Sequence, residues 1–197
     1  MMANFVGRCG AELVVRSRVS ACLCVSATLR AEIAVKRFGS AIWQAPIVWL
    51  LQKKFVPRLC AGAGLPVPKE WLTAWSIPEM DTRVIVPAHG YKCAEDYYKD
   101  LSAGSSGNWR SIAIPILFLH ALDDPVFHID DTAVAEYWQG NSNIAVLVTS
   151  TGGHVGWPAD RVSRWELLAS IADRFYTEAA ANEDGVRNLI EKGIRGD

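Results

Sequence analysis

Two short apolar runs, each ending in a polar turn, constrain this chain more than any other feature. Ile114-Pro-Ile-Leu-Phe-Leu119 continues through His120 and Ala121 into Leu-Asp-Asp-Pro125, and Ile144 to Val148 runs into Thr149-Ser-Thr-Gly-Gly-His-Val-Gly156. Apolar runs of this length, rich in Ile and Val and bounded by Gly, Pro and Asp, read as strands. Strands apolar on both sides need cover on both sides, as in the parallel sheet of an α/β protein. Each strand then delivers a reactive residue at its C-terminal end: the acid pair Asp123 and Asp124 from the first, and His154, 30 positions after Asp124, from the second.

The glycines around His154 (Gly152, Gly153, Gly156) allow the tight backbone turn that aims an imidazole across a site. In an acyl-transfer site, Nε2 of such a histidine takes a proton from a serine hydroxyl and returns it to the leaving group, while a carboxylate holds the Nδ1 proton. A solvated loop histidine is the alternative, and the Gly-Gly-His-Val-Gly context after a strand favours the catalytic reading. The third member of such a triad is not legible. A nucleophile elbow requires Gly-x-Ser-x-Gly between a strand and a helix, and the sequence contains no such pentapeptide. The nearest stretch, Ala103-Gly-Ser-Ser-Gly107, follows an amphipathic helix and precedes a strand, so it reads as a surface turn.

The residues Gly90-Tyr-Lys-Cys-Ala-Glu-Asp-Tyr-Tyr98, Ile114-Pro-Ile-Leu-Phe-Leu119, Ala121-Leu-Asp-Asp-Pro125 and Thr151-Gly-Gly-His-Val-Gly-Trp157 together resemble the YheT-like branch of the α/β-hydrolase-domain family. The resemblance runs from about Met1 to Ala179 and covers the C-terminal half of that fold, with Met1 to Gly7 similar to the helix that follows the family's elbow. It implies an α/β-hydrolase fold present in part: C-terminal strands and helices of a mostly parallel sheet, with a helical lid. It also implies a serine hydrolase acting on carboxylic esters of the acylglycerol or phospholipid kind, in a family that often carries an upstream membrane anchor. Within the acid pair, the hydrolase pattern places the acid before a turn residue and a hydrophobe, which assigns Asp124 (before Pro125 and Val126) to His154. Asp123 is then expected to cap the turn.

The 197 residues suit one domain, read as 1–179, with a lid-like insertion at about 28–89 and a polar, frayed tail over 180–197. The insertion is marked by Trp43, Trp49, Trp71 and Trp75, by five prolines between Pro46 and Pro78, and by a break at Ala61-Gly-Ala-Gly64. Further elements are expected as a helix from Met1 to Gly10, a strand from Val19 to Ala27, a helix over Ala94–Leu101 with a Glu95–Lys99 pair, and a helix over 130–139. A final amphipathic helix is expected on Val162, Trp165, Leu168, Ala172 and Phe175.

A net charge of −1 gives no footprint for nucleic acid. Five irregularly spaced cysteines, with no secretory leader at the start of the sequence, point to a reducing compartment; Cys22 and Cys24 read as small buried hydrophobes on one side of a strand. His89 and His128 lack metal-ligand spacing, and Gly62 and Gly64 do not open a phosphate loop, so no metal and no cofactor is expected. His120 either lines the site or is a satisfied buried histidine.

Two functions are compatible with these features. The first is an ester hydrolase whose serine, oxyanion hole and first strands lie upstream of an internal methionine, leaving this chain inactive alone. The second is a non-catalytic module that binds a ligand or a partner. A small ester or lipid is the expected substrate. Trp43, Ile47, Leu50 and Leu51 on one helical face, followed by Lys53 and Lys54, suggest peripheral membrane contact through the lid, and an open sheet edge at Val19–Ala27 suggests self-association.

Overall fold

The computed structural model describes residues 2–10, 12, 19–27, 29–38, 44–64, 66–127, 129, 139–157 and 166–181. Residues 130–138 of the helix expected over 130–139, Val162 and Trp165, and the tail beyond Ala181 lie outside these residues. The chain divides into two compact units, residues 31–100 and the remainder.

The larger unit is built on a parallel sheet of β1 (Cys22–Val25), β2 (Ile116–Ala121) and β3 (Ile144–Thr149), in that order. Ile116 lies between Cys22 and Ile144, and Leu119 between Val25 and Leu147. The central strand β2 is buried along its whole length, which explains why it reads as a nearly unbroken apolar run. One face of the sheet carries Cys22, Cys24, Ile116, Phe118 and Ile144, packed against Ala3 and Val6 of α1 (Met2–Cys9) and against Trp109. The opposite face carries Leu117 and Ala145 against Phe175 and Ile171 of the last helix (Glu166–Ala181), and Leu119 and Ala121 against Trp157 and Leu168. This is a three-layer α/β arrangement.

β1 is shorter than the sequence predicts. Ser26 turns to φ 45° directly after Val25, although its amide still reaches the Leu119 carbonyl at 2.9 Å. α1 is tied to the chain before β2 by Asn4, whose side-chain oxygen accepts from Asn108 Nδ2 and from Ser106 Oγ. The approach is so close that a Cβ at Gly7 would run into the Asn108 carbonyl.

The second unit is helical: α2 (Ala31–Phe38), α3 (Gln44–Leu50), α4 (Val56–Gly62), α5 (Lys69–Leu72), α6 (Ile77–Met80), α7 (Val86–Ala88) and α8 (Ala94–Leu101). α3 runs into α4 through a π-helical segment, Leu51–Phe55, and α6 into α7 through another, Asp81–Ile85. Both segments have one cause. Pro57 and Pro87 cannot donate to the carbonyl four residues back, and their rings crowd it; those carbonyls belong to Lys53 and Arg83, inside the two segments. This unit has its own core of Val48, Val56, Ala74 and Met80, with Leu51 and Trp71 against it. Ser76 caps α6 by accepting from the Glu79 amide, and on α8 the Glu95–Lys99 pair closes at 3.1 Å. The helix carrying α9 in chain order is Glu166–Ala181.

All five cysteines are free thiols, with the Cys22 and Cys24 sulfurs 3.8 Å apart on the α1 side of the sheet. Among the described residues no helix is long and apolar enough to cross a membrane.

Candidate active site

The C-terminal ends of β2 and β3 lie side by side, and the turns that follow them bring the acid pair to the histidine. The Leu122 amide extends the ladder by donating to the Thr149 carbonyl at 2.9 Å. Two residues later Asp124 is buried, and its Oδ2 lies 3.0 Å from Nδ1 of His154. Its Oδ1 accepts from the Val126 and Phe127 amides at 2.7 and 3.0 Å. Burial pushes the Asp124 carboxyl up, but the bonds from His154, Phe127 and Val126 outweigh it and hold the group below its ordinary value. The carboxylate is thus fixed by three donors, and only one of them is the imidazole.

Asp123 does something the sequence did not indicate. The turn is capped by Asp124 itself, whereas exposed Asp123 accepts from the Gly153 amide at 2.7 Å. The reason is geometric: adjacent side chains leave a turn in different directions, and the outward one meets the loop from β3. One acid therefore holds the ring of His154 and the other holds the backbone beside it.

That loop is tight. The Gly156 and Trp157 amides both donate to the Gly152 carbonyl, at 3.0 and 2.9 Å, and Trp157 Nε1 donates to Thr149 Oγ1 at 2.8 Å. A Cβ at Gly152 would collide with the Trp157 indole. Val155, immediately after the histidine, sits at φ 65°, a strained conformation for a β-branched residue. The side chain of His154 is 34% exposed, with the Phe127 ring edge-on at 5.2 Å. Among the described residues Nε2 makes no hydrogen bond, so the nitrogen opposite Asp124 is open to chemistry. Sequence reasoning gave no role to Trp157 or Thr149; an aromatic shortly after a Gly-Gly-His turn is the one available signal.

The remaining sequence candidates are placed as follows. His120 is buried on the α1 side of β2, and among the described residues neither ring nitrogen has a hydrogen-bond partner. It is therefore not the satisfied core histidine that was one reading of it. Burial lowers its pKa to about 4, which Asp124 opposes and His154 reinforces. Ser106 Oγ donates to Asn4 or to the Ala103 carbonyl and so serves the local turn. His89 is exposed at the end of α7, and His128 lies outside the described residues. Ser26 went unnoticed in the sequence: it is buried, left-handed, and its Oγ has no partner among the described residues. No described group of three His, Cys, Asp or Glu side chains is placed to hold a metal ion.

A parallel sheet with helices on both faces and an Asp–His pair at its C-terminal edge defines an α/β protein whose reactive groups lie where open α/β sheets place their sites. No family model and no solved structure matches the sequence. Curated proteins do. The monoacylglycerol lipase of Saccharomyces cerevisiae is 38% identical over 106 residues, covering 52% of this chain and 23% of the yeast protein. Human phospholipase ABHD3 is 38% identical over 122 residues, covering 62% and 27%. The putative esterase YheT of Escherichia coli is 31% identical over 144 residues, covering 71% and 41%. At 31–38% identity over about half of this chain or more, these relatives support a YheT-like α/β-hydrolase. The matched region spans between about a quarter and two-fifths of the length of these relatives.

Proposed function

We propose that this chain is the acid–base part of a serine-type carboxylic-ester hydrolase acting on acylglycerol or phospholipid esters. The observation that carries the proposal is the 3.0 Å contact between His154 Nδ1 and a buried Asp124 that is itself held by two backbone amides. Asp124 fixes the tautomer and orientation of His154 and stabilises the imidazolium. Nε2, free and part-exposed, takes the serine proton on attack and gives it to the leaving alcohol. Relatives named as a monoacylglycerol lipase and a phospholipase support the substrate class.

The nucleophile lies outside these residues. No Gly-x-Ser-x-Gly occurs in the sequence, and no described serine hydrogen-bonds His154. The isolated chain is therefore inert toward esters, and the unit of residues 31–100 serves as the lid-type insertion. Reading the coding sequence upstream of Met1 tests this. The expected result is an in-frame strand followed by Gly-x-Ser-x-Gly, in a product that hydrolyses monoacylglycerol and reacts with a fluorophosphonate. An in-frame stop codon there would reject the proposal in favour of a non-catalytic binding module.

A further inference from the structure

The second unit displays apolar surface that its own core does not use. Trp75 is 81% exposed, Trp49 57% and Leu72 48%. The three line one groove of about 590 Å³, and Lys53 shares its lining. The groove is rigidly built. The Gln52 side chain donates to the carbonyls of Trp71 and Ala74 at 2.6 and 2.8 Å, and the Trp75 amide donates to the Glu79 carboxylate at 2.7 Å. Trp75 is thus held outward by a fixed turn, while neighbouring Ala74 is buried in the unit's core. Phe55, one turn past Leu51, is also half exposed. Contiguous exposed aromatic surface of this kind marks an interaction site.

Charge identifies the partner. Residues 44–75 carry Lys53, Lys54, Arg58 and Lys69 against a single acid, Glu70, in a chain whose net charge is −1. Tryptophan rings sit well at the headgroup boundary of a bilayer, and lysines beside them are drawn to anionic headgroups. We infer that the face of residues 44–75 docks on an anionic lipid surface, with Trp49, Leu72 and Trp75 entering the headgroup–acyl boundary and Lys53 meeting the headgroups. The inference uses no residue of the Asp124–His154 pair, so it stands or falls apart from the ester chemistry.

Flotation of the 197-residue chain with lipid vesicles tests it. Vesicles of phosphatidylcholine containing phosphatidylserine should carry the chain upward, pure phosphatidylcholine much less, and added salt should release it. The double variant Trp49→Ala, Trp75→Ala should lower the floated fraction about tenfold, and Lys53→Glu should weaken binding to the anionic vesicles alone. Both tryptophans are more than half exposed, and an unchanged far-UV circular dichroism spectrum checks that the double variant folds. Aggregated protein pellets instead of floating, which separates lipid binding from self-association. Failure of the chain to float, equal flotation on neutral and anionic vesicles, or a double variant that floats like the parent overturns the inference.

Discussion

At the scale of single residues, the site contains one charged group that is held well and one titratable group that is held poorly. His120, buried without a hydrogen-bond partner among the described residues, has its pKa lowered from 6.5 to about 4. The unfolded chain therefore binds the proton first. The protein should lose stability as pH falls through 6.5, with the loss complete near pH 4 and amounting to roughly 3 kcal/mol. Asp124, whose pKa is lowered in the fold, adds a further loss below that window. Denaturant unfolding at a series of pH values should show the first slope in the parent and not in His120→Leu, which also removes the unpartnered nitrogens; an unchanged slope would reject this account of His120. Gly152→Ala drives a methyl group into the Trp157 indole at a left-handed position, and should destabilise the protein by about 1–3 kcal/mol, read as a fall in Tm. Asp124 and His154 were legible in the sequence because a strand end followed by a turn displays its polar residues. The role of Asp123 was not: the sequence assigned Asp124 to the imidazole but expected Asp123 to cap the turn, and only the loop from β3 shows that its carboxylate meets the Gly153 amide instead.

At the scale of elements, the sheet edges matter most. Among the described residues no strand pairs with the outer side of β1, and such an edge is a template for association. One outward amide is covered: Leu23 N donates to the Tyr176 hydroxyl at 3.3 Å, from the helix Glu166–Ala181. The isolated chain is expected to self-associate through β1 at micromolar concentration, and Tyr176→Phe to do so at lower concentration. Size-exclusion chromatography with light scattering checks both, and a monomer in both cases would contradict the role given to the edge. The strands were readable as apolar runs, and α1 and α8 from their helical spacing. The ends of β1 were not, because Ser26 leaves the strand by a left-handed turn that its residue type does not announce. The lid-like region shows the same limit. The sequence aligned Trp43, Ile47, Leu50 and Leu51 on one face; Trp43 lies outside the described residues, Leu51 packs on the unit's core, and Trp49 is exposed beside Leu50. Gln44, Val48 and Leu51 share the core-facing side at ordinary helical spacing, and polar Gln44 hid that face in the sequence.

At the scale of the whole molecule, the chain is two units, one of which carries the Asp124–His154 pair. Because the sequence holds no Gly-x-Ser-x-Gly and no described serine hydrogen-bonds His154, a fluorophosphonate probe should leave the isolated 197-residue chain unlabelled. If labelling occurs, Ser26 is the first position to examine, since its hydroxyl is unengaged and its backbone strained. The α/β class and the meeting of Asp124 with His154 could be read from the chain itself; a nucleophile could not, since no Gly-x-Ser-x-Gly occurs in the sequence. The most direct test of the account is the hydrolysis of a monoacylglycerol by the product extended upstream through an in-frame Gly-x-Ser-x-Gly, measured for the parent, Asp124→Asn and Asp123→Asn. The account predicts that Asp124→Asn keeps the fold and lowers kcat on the order of 10⁴-fold, while Asp123→Asn, whose amide oxygen still accepts from Gly153, loses far less. An extended product without esterase activity, or equal losses from the two substitutions, would contradict it.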